Sequence, residues 1–529
     1  MPLFTRKNIY TALVSALLLS LCCPRASAQR EYILYLADKN HSTFSLDQPA
    51  YFLSERSLER RVRQGIPLTP EDLPVSEVYI DSLRRRGLSV RYVSKWLNAC
   101  LVEGDSYLIS EIALSGFVSH VDSMDIRRGI STLDYTTSYG PVYDYGTSGN
   151  QLAMHQIPRM HEEGLTGRGM LIAVLDAGFK DVDRIAGFRR LFDNNAIVAT
   201  YDFPAGESNV YDDHEHGTRV LSVLAAYDPG KLIGTAFGAS YALLRTENVQ
   251  IEAPIEEFYW LLAAELADSL GADIISSSLG YNVFDNASLN YSYEDMDGRS
   301  TLITIAAEKA FSKGMLVVNS VGNDGDTPWK HLIAPADGRH VLAVGAVDHG
   351  GQFYSISGRG PSADGRIKPD VVAVGRGARA LSSSGALISV NGTSYATPII
   401  SGFAANLWQR QPDLSNLELL QKIRELSSQA ENPDNNMGYG IPMYDRTAGL
   451  PDPLDERAVI SNPVFDFIHF INPPFDSFRL IVVDLRGNRM IDVVRDDVSS
   501  FDVSALSSGV YIVLMEGKDM VYRQALIKR

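Results

Sequence analysis

Three residues whose types together support acyl transfer stand far apart in the chain: Asp176, His216 and Ser394. A serine hydroxyl is a poor nucleophile until an imidazole accepts its proton. The imidazole in turn needs a carboxylate to hold its tautomer and stabilise its cation. Each residue alone has an ordinary reading. Asp176 lies inside Ala173-Val174-Leu175-Asp176-Ala177-Gly178, directly after an expected strand, where an aspartate commonly makes a turn. His216 is one of ten histidines and sits in His214-Glu215-His216-Gly217-Thr218. Ser394 lies in Gly392-Thr393-Ser394-Tyr395-Ala396-Thr397-Pro398, ahead of an apolar run over 399–408, where Thr and Ser also serve as helix caps. At such a helix start the positive end of the peptide dipole favours negative charge developing near the oxygen. His214 is expected to be a bystander, since positions i and i+2 do not share a helical face.

The remaining motifs narrow the chemistry. The chain holds no Gly-x-Ser-x-Gly and no His-Glu-x-x-His, which argues against a hydrolase elbow and a zinc peptidase. The elements that must position the three residues are short β-branched runs alternating with helical segments. Strands are expected over 171–175, 241–246, 274–277, 315–320 and 341–347, and helices over 220–226, 256–270, 302–313, 399–409 and 417–428. Several strands are almost continuously apolar, as strands buried on both faces should be. The alternation predicts an α/β fold, a doubly wound parallel sheet with helices on both faces, and a ligand crevice beyond the carboxyl ends of the strands.

Residues 151–447 resemble the subtilisin-like serine proteases through five motifs in that family's order. They are Val174-Leu175-Asp176-Ala177-Gly178, His216-Gly217-Thr218, Ser278-Leu279-Gly280, Gly322-Asn323 and Gly392-Thr393-Ser394-Tyr395-Ala396-Thr397-Pro398. The resemblance implies a secreted serine endopeptidase working through an acyl-enzyme, with Asp176, His216 and Ser394 as the catalytic triad. Asn323, otherwise a turn residue, would donate to the oxyanion beside the backbone N–H of Ser394. Ser278, Leu279 and Gly280 on one side and Ser320, Val321 and Gly322 on the other would line the first specificity pocket. An extended substrate could pair with the edge at Ser278–Gly280. Small residues on these walls predict a medium or large apolar side chain before the cut bond. The chain departs from the family pattern at Ala177, Arg219 and Tyr395, in place of Thr or Ser, His and Met.

Composition sets the frame around this domain. At 529 residues, with 45% hydrophobic and 21% charged residues, the chain is globular and long enough for several domains. A formal charge of −16 offers no basic face and argues against nucleic acid as a partner. Residues 1–28 read as a signal peptide, with Arg6 and Lys7, an apolar stretch over 9–21 and the small-residue site Ala26-Ser27-Ala28. The bulky Leu21 before Cys22 argues against lipid attachment, and no apolar run is long enough to span a membrane. Cleavage after Ala28 would leave Cys100 alone, so no internal disulfide is expected.

Residues 29–128 have the pattern of a small α+β unit, with strands over 32–37, 90–93, 99–102 and 117–121 and helices over 53–63, 75–86 and 107–114. By position and size the unit resembles a subtilisin-type pro-segment that acts as an intramolecular inhibitor; a generic accessory domain has the same pattern. Residues 129–150, rich in Gly, Ser, Thr and Tyr, read as a linker containing a processing site, and 448–458 as a second linker. Residues 459–529 switch to short strand-like runs over 478–483, 490–494, 510–515 and 521–527, the pattern of a small antiparallel β-sandwich. Ser461-Asn462-Pro463-Val464, Asp484-Leu485-Arg486-Gly487, Leu506-Ser507-Ser508-Gly509-Val510-Tyr511 and Lys528 resemble the C-terminal sorting domain of type IX secretion. That resemblance implies the type IX machinery as a partner, export through the periplasm, and release or attachment at the outer cell surface. A carbohydrate- or protein-binding sandwich is the alternative.

The partners implied are protein or peptide substrates, with no cofactor needed for the chemistry. Metal is left open: Asp202, Asp212, Asp213, Asp295 and Asp297 are candidates for a stabilising calcium, although no spaced oxygen-ligand loop is legible. Two other functions fit the same residues, an idle subtilisin-fold adhesion protein and an esterase or peptide ligase using the same triad.

Overall fold

The computed structural model describes residues 30–124 and 143–445, and in the C-terminal part 459–460, 467–471, 478–484, 489–495, 500–507, 509–516 and 521–528. The expected signal peptide, the first part of the 129–150 linker and the 448–458 linker lie outside them. The chain forms two compact units, which divide after Leu450.

At the centre of the first unit is a seven-stranded sheet. Its order is Val371–Val374, Leu342–Val347, Leu316–Ser320, Ile274–Ser277, Leu171–Asp176, Ser240–Arg245 and Ile197–Asp202, and every neighbouring pair is parallel. Alternate side chains of a strand face opposite sides. On the central strand Ile172 and Val174 join a core with the helices His216–Ala225 and Thr393–Arg410. Leu171, Ala173 and Leu175 join a second core with the helices Ile255–Leu270 and Leu302–Ser312. Both faces are covered, which is why these strands read as unbroken apolar runs.

Residues 30–124 form a four-stranded antiparallel sheet in the order Ser89–Ser94, Ala99–Gly104, Arg30–Leu36 and Val118–Met124. Tyr32, Leu34, Cys100 and Val102 face this segment's own helices, whereas Ile33, Ala99 and Leu101, with Trp96, enter the core around Ile255–Leu270. The docking is polar as well. Asp268, on that helix, accepts from Arg60 at 2.6 Å, Arg61 at 2.7 Å and Lys95 at 3.0 Å, all of them buried. Glu265, one turn earlier, accepts from the Ser94 hydroxyl and from the backbone N–H groups of Lys95 and Trp96.

The expected linker over 129–150 needs correction at its end. Residues 143–150 are folded: Gly146–Ser148 is a 3-10 turn leading into the helix Gly149–Ala153. Tyr143 and Tyr145 pack on His161, and Tyr143 also on Phe237. The Gly, Ser and Tyr content suggested exposure, but the tyrosine rings are anchored on a core of the seven-stranded sheet.

In the second unit Val459–Ile460, Phe467–Ile471 and Ser500–Asp502 form one antiparallel sheet. A second has the order Arg489–Arg495, Phe478–Asp484, Gly509–Glu516 and Val521–Lys528. Ile468, Leu480, Val482, Val513 and Leu526 share one core. Among the described residues no helix is long and apolar enough to cross a membrane.

Candidate active site

The carboxyl end of the central strand presents Asp176, fully buried. Its Oδ1 accepts from the Ala177 N–H and from His216 Nδ1, each at 2.7 Å. Oδ2 is buried and takes no hydrogen bond from the described residues. His216 opens the helix His216–Ala225, and the glycine after it is what allows the close approach. A β-carbon on Gly217 would lie 2.4 Å from the Gly178 carbonyl oxygen and 3.0 Å from the Asp176 β-carbon. Burial works against the imidazolium, but the charge of Asp176 and its hydrogen bond outweigh it, so His216 titrates above the ordinary histidine range.

Ser394 is the second residue of the buried helix Thr393–Arg410 and is 8% exposed. Pro398, inside that helix, has no N–H to give to the Ser394 carbonyl four residues back. That carbonyl instead accepts from the Ser278 hydroxyl at 2.8 Å, tying the serine's backbone to a neighbouring strand end. The Ser394 hydroxyl makes a long 3.5 Å contact to the Ser278 carbonyl. Its N–H belongs to the first helical turn, where no intrahelical acceptor exists.

Asn323 follows Gly322, whose φ of +88° turns the chain after the strand Leu316–Ser320. Its carboxamide oxygen accepts from the Thr393 N–H at 2.9 Å and the Thr393 hydroxyl at 3.1 Å. His216, Ser394 and Asn323 all line one cleft of about 440 Å³, as do Ser278, Leu279, Gly280, Ser320 and Gly322. Val321 does not. Its side chain is buried in the core, because alternation along the strand turns it away from the residues on either side.

Among the groups around His216, sequence reasoning missed Glu247 and misjudged His214. His214 is not in the helix, so the argument from helical faces does not apply to it. Its Nδ1 accepts from the His216 N–H at 3.3 Å, and its ring stacks on that of His216. Arg219 and Tyr395, both departures from the family pattern, hydrogen-bond to each other, and the Tyr395 ring stands 5.9 Å from that of His216. Glu247 follows the strand Ser240–Arg245 and lines the cleft beside Glu252. The rule that ligands sit beyond strand carboxyl ends would have flagged it. Burial pushes Glu247 up to about 7, and the Tyr281 hydroxyl donates to it.

Four of the carboxylates considered for calcium are engaged by other groups. Asp202 and Asp213 share Arg245, at 2.6 and 3.0 Å. Asp295 accepts from Ser292, and Asp297 from Arg299 and Ser300. Among the described residues the group whose oxygens lie within 4.8 Å of one another is Glu247, Glu252 and Glu256.

The model of the subtilase family, Peptidase S8, matches residues 167–440, a range that contains Asp176, His216 and Ser394. The chain belongs to the subtilase family. A second model, the Peptidase S8 propeptide domain of Bacteroidota, matches residues 31–135 of this subtilase. Subtilisin E of Bacillus subtilis (strain 168) is 26% identical over 363 residues, covering 68% of this chain and 82% of the relative. Serine protease AprX of the same strain is 29% identical over 317 residues, covering 54% and 67%. Subtilisin BL of Lederbergia lenta is 30% identical over 275 residues, covering 52% and 88%. This subtilase is thus a subtilisin-like serine peptidase carrying a propeptide, the organisation of a zymogen.

Proposed function

We propose that this subtilase is a secreted endopeptidase that cuts protein or peptide substrates through Asp176, His216 and Ser394. The observation that carries the reading is the 2.7 Å bond from His216 Nδ1 to Asp176 Oδ1 in the cleft that Ser394 also lines. With its proton on Nδ1, His216 has a lone pair free at Nε2. There it takes the Ser394 proton as Oγ attacks the amide carbon, and returns it to the leaving amine. The oxyanion accepts from Asn323 Nδ2 and from the Ser394 N–H. Water then enters by the same path and releases the acyl group. No cofactor takes part.

The pro-segment, residues 29–128, acts as an intramolecular inhibitor, and the chain cuts itself within 129–142, ahead of the anchored tyrosines. Residues 1–28 direct export to the periplasm. Residues 459–529 serve the type IX secretion machinery, leaving the enzyme released or attached at the outer surface.

A fluorophosphonate probe tests the chemistry. Labelling of the mature wild type and none of Ser394→Ala is expected; equal labelling of both, or none of either, would leave an idle subtilisin fold. N-terminal sequencing of the two proteins tests self-processing, and an identical mature N-terminus in both would assign the cut to another protease.

A further inference from the structure

The two walls that would receive the side chain before the cut bond end in glycines, Gly280 and Gly322, and Ile333 lies between them. Its backbone is held from both sides. The Ile333 N–H donates to the Val321 carbonyl at 3.2 Å, and Ala334 exchanges hydrogen bonds of 2.8 and 3.2 Å with Tyr281. The side chain therefore has one place to go. A β-carbon on Gly280 would lie 2.9 Å from both Cδ1 and Cγ1 of Ile333, and one on Gly322 would lie 2.8 Å from the same two atoms. A side chain packed against the glycines of both walls fills the space between them, and Ile333, 8% exposed, turns its remaining surface to the cleft.

We propose that Ile333 closes the first specificity pocket, so that the residue before the cut bond must be small: alanine, serine or glycine. This reverses the preference for a medium or large apolar side chain expected from the walls alone, and it rests on the function proposed above. The walls are bare because the bulk sits on the floor. A β-branched side chain is stiff at χ1, and this one is pinned by hydrogen bonds on both sides of it, so it does not swing away for a large substrate group. Forcing a ring into such close packing is unfavourable.

The test uses the full chain, incubated until its hydrolytic rate is constant, and two peptides identical except for alanine or phenylalanine before a chromogenic leaving group. Apolar pockets discriminate by about 10–200-fold for a single methylene, so wild type should favour alanine by about 10²-fold or more in kcat/KM. Ile333→Gly should move that ratio toward phenylalanine by about 10²-fold, and Ile333→Ala by less. The ratio does not depend on how much enzyme is folded. Mapping the cuts in unfolded casein needs no variant and should place them after small residues. A wild type that prefers phenylalanine, cuts after large residues, or keeps its ratio in active Ile333→Gly would overturn the proposal while leaving the peptidase reading intact. No hydrolysis of either peptide together with no fluorophosphonate labelling would remove that reading, and this one with it.

Discussion

Thr393 donates both its backbone N–H and its hydroxyl to the carboxamide oxygen of Asn323, at 2.9 and 3.1 Å. The residue before Ser394 thereby fixes which end of the amide faces the cleft. With the oxygen engaged, the NH₂ group is left as the donor, oriented before any substrate arrives, and preorganisation of this kind makes an oxyanion donor effective.

Asn323→Ala should therefore lower kcat by about 10²–10³ with little change in KM, because the interaction forms mainly in the transition state. Thr393→Val removes one of the two bonds holding the amide and should cost less, with the same split between kcat and KM. Steady-state kinetics on one peptide substrate checks both. A rise in KM without loss of kcat would place Asn323 in ground-state binding instead.

The raised His216 pKa has a definite sign in the pH profile. The imidazole must be neutral to act as a base, so kcat/KM rises with pH as His216 loses its proton, above the ordinary histidine range. Asp176→Asn removes the largest of the effects that raise the pKa. It should move the rising limb to lower pH while lowering kcat by about 10⁴. Glu247 raises the His216 pKa more weakly, and Arg219 opposes it. Glu247→Gln should shift the limb in the same direction by less. A limb that stays in place in Asp176→Asn would mean that another group titrates.

The pro-segment contact has its own pH behaviour. Burial alone would raise the Asp268 pKa, but Lys95, Arg61 and Arg60 hold it far below the usual carboxylate range. A depressed carboxylate contributes stability above its unfolded pKa and loses it only as pH falls through the folded value, so mild acid does not release the pro-segment through this residue. Glu265 is raised by burial against the hydrogen bonds it accepts, and so contributes in the opposite sense, weakening the contact as pH rises through its raised value. In the uncut Ser394→Ala chain, Asp268→Asn removes the carboxylate shared by three buried cations, of which only Arg61 keeps another ion pair among the described residues, with Asp72. It should lower stability by about 3–5 kcal/mol, read as a fall in thermal midpoint.

Packing behind Ser394 is equally specific. Gly402, two turns along the Ser394 helix, faces Thr235, and a β-carbon there would lie 1.9 Å from the Thr235 hydroxyl oxygen. Gly402→Ala should destabilise the chain by about 1–3 kcal/mol or more. Thr235→Gly in the same chain should recover part of the loss in denaturant unfolding. No change in the midpoint with Gly402→Ala alone would mean that the helix shifts freely.

Much of this was legible in the linear chain. Apolar runs buried on both faces announced the parallel sheet, and the types and order of Asp176, His216 and Ser394 made acyl transfer the chemistry to expect. Two edge strands were not legible: Ile197–Asp202 is half-exposed, and Val371–Val374 is too short for a period to register. The Ser394 helix was expected to begin at residue 399, after Pro398, yet it begins at Thr393. The proline is tolerated because Ser278, more than a hundred residues upstream, takes the place of the missing donor.

Local order along the chain decided which groups were available, since strand burial, helix starts and residue chemistry depend on near neighbours. Only the tertiary structure decided which groups meet. The pairing of Arg219 with Tyr395, the hold of Thr393 on Asn323 and the place of Ile333 between Gly280 and Gly322 are contacts between segments distant in sequence. Nothing in the spacing of the residues specifies them, because they exist only once the strand ends and helix starts have been packed against one another.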